Sequence, residues 1–250
     1  TAIMALKRKQ NFRKKREERM SKRTGEIGAN DLRLPDELRD PLKNHLSDLR
    51  QRYLARGWGH NVGFGERPAL IVIDLALGWT TQKGVMGTNL DPVVEATCRL
   101  LAMARMASIP IFFTTGSSDP ADPPHPGHKK LPTWTHTEER AASMQLDPRL
   151  ERDKSEKVVV KSYASAFKGT NLHEMLNNVG ADTLIVTGCS TSHCVYATCR
   201  DARELFNVIV PQEAVGERCE LMHEVFLLDI AIDLGDVVPT DDVISWIRST

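Results

Sequence analysis

The stretch TLIVTGCSTSHCVYATC, residues 183–199, opens on an apolar run, breaks at a glycine and resumes with residues compatible with a helix. A short apolar run bounded by a turn and followed by a helix is how a strand covered on both faces passes into the next layer of an α/β sheet. The same stretch holds three cysteines at steps of five, Cys189, Cys194 and Cys199, with His193 directly before the middle one. A structural zinc or redox pair usually shows two cysteines separated by two residues. A step of five turns a helical side chain by roughly 140°, so Cys194 and Cys199 point to different faces. Metal and disulfide readings are therefore weak, and the plain alternative is that all three are small buried apolar residues, as most free cysteines are.

Working outward, the same kind of segment recurs. ALIVID (69–74), IPIFFTT (109–115), KVVVK (157–161), NVIVP (207–211) and a short DVV (236–238) join TLIVTG (183–188) as candidate strands, each nearly all apolar. Between them lie helical patterns over 91–108, 171–180 and 223–235, and a helix beginning near Ser192 or His193. TDDVISWI (240–247) closes the chain, with Thr240 placed to cap it. Alternation of this kind predicts a three-layer α/β/α protein with a mostly parallel six-stranded, Rossmann-like sheet. Residues 116–156, rich in proline, histidine and charge, are expected to form a functional loop that covers substrate. Residues 34–57 read as a broken amphipathic helix, with Leu42, Leu46, Leu49 and Tyr53 at steps of three or four. The division expected is a basic extension and helix over 1–57 and a catalytic-sized domain over 58–250.

The 250 residues carry a formal net charge of zero, but residues 1–25 hold ten lysines and arginines against Glu17 and Glu18, so this arm is +8 and the remainder −8. A solvated helix or tail docking on a neighbouring subunit is the reading favoured over a transit peptide, because KREE and the scarcity of serine count against the latter. With no aromatic pattern beyond Phe12, nucleic-acid binding is not expected. No apolar run approaches the ~20 residues of a membrane span. Five cysteines, an odd number, argue against a disulfide scaffold and for the reducing cytoplasm.

In open α/β sheets ligands bind beyond the carboxyl ends of the strands. Three polar features sit there: Asp74 ends the first strand, Lys161 ends KVVVK, and GCSTSHC delivers Cys194 to a helix start. Together they supply what amide hydrolysis through a thiol requires. The positive end of a helix and a neighbouring ammonium would lower the Cys194 pKa, Asp74 would act as general base and then acid, and Lys161 would hold both in place. Backbone N–H groups between Ser190 and Cys194 would bind the oxyanion. Singly, each has a plain alternative: a loop-anchoring carboxylate for Asp74, a surface lysine for Lys161. Only the combination persuades.

The strings ALIVIDLALGW, KSYASAFKGTNL, TGCSTSHCV and GDVVPTDDVI, in this order, resemble the isochorismatase-like cysteine hydrolase superfamily, and within it the N-carbamoylsarcosine amidase and maleamate amidase branch. The resemblance spans about residues 58–247. It implies an Asp, Lys, Cys triad on Asp74, Lys161 and Cys194, a cis peptide between Cys189 and Ser190, and an oxyanion hole at the amides of Ser190 and Cys194. Cys199 is then packing, and Cys98 and Cys219 carry no signal. Nicotinamidases of the superfamily bind a metal through aspartate and histidine soon after the first catalytic aspartate. Here LALGWTTQKGVMG (75–87) contains no histidine, so neither metal nor cofactor is expected. His125, His128 and His136 are read as solvated or substrate-contacting. Isochorismatases proper do not need the cysteine, so Cys194 points to amide or carbamoyl hydrolysis. The resemblance also implies a homo-oligomer, tetramer or dimer, with the arm and the 34–57 helix as intersubunit elements.

The expected substrate is a small amide or ureido compound, and a carboxylate on it would need a cation. Arg218 in EAVGERC (213–219) is the candidate, with a helix-start salt bridge as its equal alternative. Thr191, Trp79, Phe167 and Trp134 are further candidate contacts, although aromatic residues at such places are more often core. Lys168 stands where the amidases suggest an apolar residue. Two other classes are set against the enzyme: a non-catalytic family member binding a partner through the basic arm, and a thiol redox protein, which would need a resolving cysteine near Cys194.

Overall fold

The apolar segments pair into one parallel sheet. The computed structural model describes residues 32–82, 86–119, 126–130 and 137–249. The strands are β1 (Pro68–Ile73), β2 (Ile111–Gly116), β3 (Lys157–Lys161), β4 (Thr183–Cys189), β5 (Asn207–Pro211), β6 (Val215–Gly216) and β7 (Asp236–Val238). Their order is β3-β2-β1-β4-β5-β7, every pairing is parallel, and the two-residue β6 pairs with the end of β4. The sheet thus has seven strands, not the six expected. The extra one is too short to leave an apolar run in the sequence.

Alternate residues of each strand feed opposite cores, as the twofold period of a strand requires. On one face Ala69, Ile71 and Ile73 pack with Leu172, Leu176, Cys199 and Phe206. On the other, Leu70 and Val72 pack with Leu100, Leu101, Phe113, Val243 and Ile244. The described helices are α1 (Asp36–Leu54), α2 (Leu77–Thr80), α3 (Asp91–Met106), α4 (Thr137–Ser143), α5 (Leu172–Asn178), α6 (Tyr196–Ala202), α7 (Glu220–Asp229) and α8 (Thr240–Ser249). Helices α5 and α6 cover the first face, α3 and α8 the second.

Two expectations are corrected in detail, and a third segment gains detail. Helix α1 runs unbroken through Pro41, which lies in its second turn and leaves the Glu37 carbonyl without its i→i−4 donor. Thr240 does not cap α8: its hydroxyl has no hydrogen-bond partner, and its N–H instead donates to Glu213 Oε2 at 2.7 Å. The 116–156 connection is not structureless where it is described. It contains 3₁₀ turns at Pro126–Lys130 and Pro148–Leu150 as well as α4. This segment is tied back to the strand ends by Leu77 N–H to the Gln145 carbonyl, Asp147 N–H to that of Leu75, and the Arg140 guanidinium to that of Ser117. His128 lies in the first 3₁₀ turn, whereas His125, Trp134 and His136 lie outside the described residues. Among the described residues no helix is long and apolar enough to cross a membrane.

Candidate active site

The strand order reverses between β1 and β4, and the carboxyl ends of these neighbours define a crevice. Strand β1 stops because Asp74 takes a left-handed backbone conformation, φ 50°, which aspartate tolerates better than most residues. On β4, Gly188 sits opposite Ile73 with φ 109°, and a Cβ there would come within 2.0 Å of the Ile73 carbonyl oxygen. Only glycine permits this approach, so it is Gly188 that brings the Cys189–Cys194 turn against Asp74. The Cys189–Ser190 peptide is cis. A π-helical turn, Thr191–Val195, follows and leads into α6.

Lys161 ends β3, two strands from β1. With strands about 4.8 Å apart, that gap suits a long side chain and no short one. The Lys161 Nζ lies 2.7 Å from Asp74 Oδ2 and donates to Cys194 Sγ at 3.4 Å and to the Tyr163 carbonyl at 3.2 Å. All three residues are buried, at 3 %, 6 % and 7 % exposure for Asp74, Lys161 and Cys194. The structure thus brings together the three residues that the sequence singled out. Thr114, in the second half of β2, accepts from the Asp74 N–H at 3.1 Å and donates to Asp74 Oδ1 at 2.6 Å, holding the oxygen that Lys161 does not. The Cys189 thiol donates to the Asp74 carbonyl at 3.3 Å.

Electrostatics differ from the expected lowering of the thiol pKa. Burial, and then the Asp74 charge and its hydrogen bond with the thiol, push Cys194 up to about 12 against the pull of Lys161. Burial opposes the charge on Lys161, yet Asp74 and Cys194 outweigh it and hold the ammonium above the ordinary lysine value. The resting arrangement is an ion pair of Asp74 and Lys161 beside the Cys194 thiol.

The turn itself is held from outside by residues that the sequence did not single out. Glu217 Oε2 accepts from the Ser192 N–H at 3.0 Å and its hydroxyl at 2.6 Å, and Thr191 Oγ1 lies 2.9 Å from His223 Nδ1. Thr198 anchors the first turn of α6 through the Cys194 carbonyl at 2.7 Å. His193 Nδ1 lies 3.4 Å from Cys194 Sγ. Arg218 is exposed and follows Glu217, whose Oε1 accepts from its N–H. It lines a cavity of about 380 Å³ with Arg33, Thr88, Glu217 and His223. Trp79 is half-buried against the core on the α3 side, and Phe167 packs into the opposite core, its ring 6.2 Å from that of Phe206. The five cysteines are all free.

The fold and this site define an α/β protein with a buried carboxylate, ammonium and thiol at the switch point of a parallel sheet. The chain belongs to the isochorismatase family, whose isochorismatase domain matches residues 68–242. It is 34% identical over 203 residues to N-carbamoylsarcosine amidase from Arthrobacter sp, covering 78% of this chain and 76% of that protein. It is also 34% identical over 198 residues to maleamate amidohydrolase from Pseudomonas putida, covering 76% and 92% respectively. Among solved structures, a cysteine hydrolase from Pseudomonas syringae pv. phaseolicola shares the fold with TM-score 0.65 and 23% identity over 73% of this chain and 93% of that one.

Proposed function

We propose that this chain is an amidohydrolase that cleaves a terminal amide or N-carbamoyl group of a small, carboxylate-bearing substrate, with Cys194 as nucleophile. The observation that carries the reading is the buried contact of Asp74, Lys161 and Cys194 at 2.7 and 3.4 Å. The relatives named N-carbamoylsarcosine amidase and maleamate amidohydrolase support the substrate class.

Asp74 takes the thiol proton, and Cys194 Sγ attacks the carbonyl carbon. Lys161 stays protonated throughout and balances the negative charge shared between carboxylate and sulfur. The oxyanion is bound by the Ser190 and Cys194 amides; the Ser192, His193 and Val195 amides are already engaged by Glu217 and the Ser190 carbonyl. Collapse expels ammonia, which takes the proton from Asp74. Water then gives a proton to Asp74 and attacks the acyl or carbamoyl thioester, the C–S bond breaks, and the thiol is reprotonated. A carbamoyl substrate yields a carbamic acid that loses carbon dioxide. Arg218 is the cation for the substrate carboxylate.

The test is ammonia release from a panel including N-carbamoylsarcosine, maleamate and other small amides and ureido acids, with wild type beside Cys194→Ala. The expected outcome is release from at least one member by wild type and none by the variant. Release that persists in Cys194→Ala would remove the nucleophile from the reading.

A further inference from the structure

We propose that His193 is a further catalytic residue, donating from Nδ1 to the reacting sulfur of Cys194. The inference rests on Cys194 being the nucleophile and adds a partner for it. Adjacent residues on a regular helix do not face each other. Here the wide π-helical turn Thr191–Val195 places His193 Nδ1 3.4 Å from Cys194 Sγ. The thiol has a single proton, and the mechanism proposed above directs it to the Asp74 carboxylate. His193 can therefore meet the sulfur only as a donor, which fixes its proton on Nδ1.

The sulfur has N–H donors on two sides: the Lys161 ammonium from the buried side and the His193 imidazole from the exposed one. The groups bearing on the imidazole are Lys161, Arg218, Glu217 and Asp74. Desolvation, then Lys161 and Arg218, lower its pKa, so at neutral pH it is an uncharged donor. No proton passes through it. It stabilises the thiolate when Asp74 removes the thiol proton, and again when the C–S bond of the intermediate breaks and the electron pair returns to sulfur. A buried thiol beside a carboxylate needs such help because its own proton is held tightly.

The experiment is the rate of iodoacetamide labelling of Cys194 at pH 7.5, read by mass spectrometry of the Cys194 peptide so that Cys98 and Cys219 are resolved from it. Wild type is compared with His193→Ala, His193→Asn and His193→Gln. The asparagine amide N–H occupies about the position of Nδ1, whereas the glutamine amide lies nearer that of Nε2. A hydrogen bond to an ionised group predicts at least a roughly tenfold slower labelling in His193→Ala, with much of the rate restored in His193→Asn and little in His193→Gln. Because His193 is exposed, thermal melts should coincide for all four proteins. Equal rates for wild type and His193→Ala, or for His193→Ala and His193→Asn, overturn the inference while leaving the nucleophile in place. No labelling of Cys194 in wild type while Cys98 and Cys219 react overturns the nucleophile itself.

Discussion

Cys194, the proposed nucleophile, shows how its own environment can hide such a group. A cysteine beside a lysine and near a helix start invites the expectation of a lowered pKa, but the residue is buried and shares its pocket with Asp74, and these outweigh the ammonium. In the proposed mechanism the thiol is protonated at rest, and its reactivity comes from proton transfer to Asp74 at the moment of attack. The sign is testable: the alkylation rate of Cys194 should keep rising with pH from 7 to 10, with no plateau near the ordinary thiol value. A profile that levels off by pH 8 would show a thiolate already formed in the resting protein. That Asp74, Lys161 and Cys194 come together was legible because each is a polar residue ending an apolar strand or opening the following helix. Thr114 obeys the same rule at the end of IPIFFTT and escaped only because threonine is common in strands. Glu217 was not legible, since its role depends on a turn 25 residues earlier in the chain folding against it. The depth of burial that sets the Cys194 pKa is likewise a tertiary quantity.

At the scale of elements, the junction of β1 and β4 positions the chemistry. Gly188 allows the two strand ends to approach, and the register pairs it with Ile73, directly before Asp74. In Gly188→Ala the added methyl meets backbone that cannot give way, and φ 109° is strained for any other residue. A loss of several kcal/mol is expected, at the upper end of what single substitutions cause, about 4 kcal/mol or more. Chemical denaturation should show it, together with loss of ammonia release. A variant of near-native stability and activity would mean that the strand ends tolerate separation and that the turn is positioned otherwise. The strands were readable to within a residue or two because all-apolar runs between helical patterns have few alternatives. What escaped was local: β6 with two residues, and the wide turns at Thr191–Val195 and Ile230–Leu234, which have no periodicity distinct from the helices they join.

Across the whole molecule, α1 lies outside the 68–242 stretch matched by the family, yet it is fastened close to the site. Arg39 meets Glu220 at 2.6 Å, the Leu34 N–H donates to the same carboxylate at 2.9 Å, and Lys43 pairs with Glu224 at 3.3 Å. These acids flank His223, whose ring is the partner of Thr191 in the Cys189–Cys194 turn. Leu42, Leu46 and Leu49 are half-buried on one side of α1, which accounts for the periodicity that was visible in the sequence. The basic arm before α1 holds none of the groups assigned to chemistry. Deleting residues 1–31 should therefore leave ammonia release and thermal stability unchanged, which a protein working by binding a partner through the arm would not share as a retained function. Deleting residues 1–57 should act differently. Loss of three half-buried leucines at about 1 kcal/mol each should lower the melting temperature by roughly 10 °C, given about 2–4 °C per kcal/mol for a domain of this size. Turnover should fall as well, because α7 loses the clamp that steadies His223 against Thr191. Melting curves and ammonia release on the two truncations separate these effects. Full activity after the longer deletion would show that the Cys189–Cys194 turn is held by Glu217 alone, and loss of activity after the shorter one would assign the arm a part in catalysis.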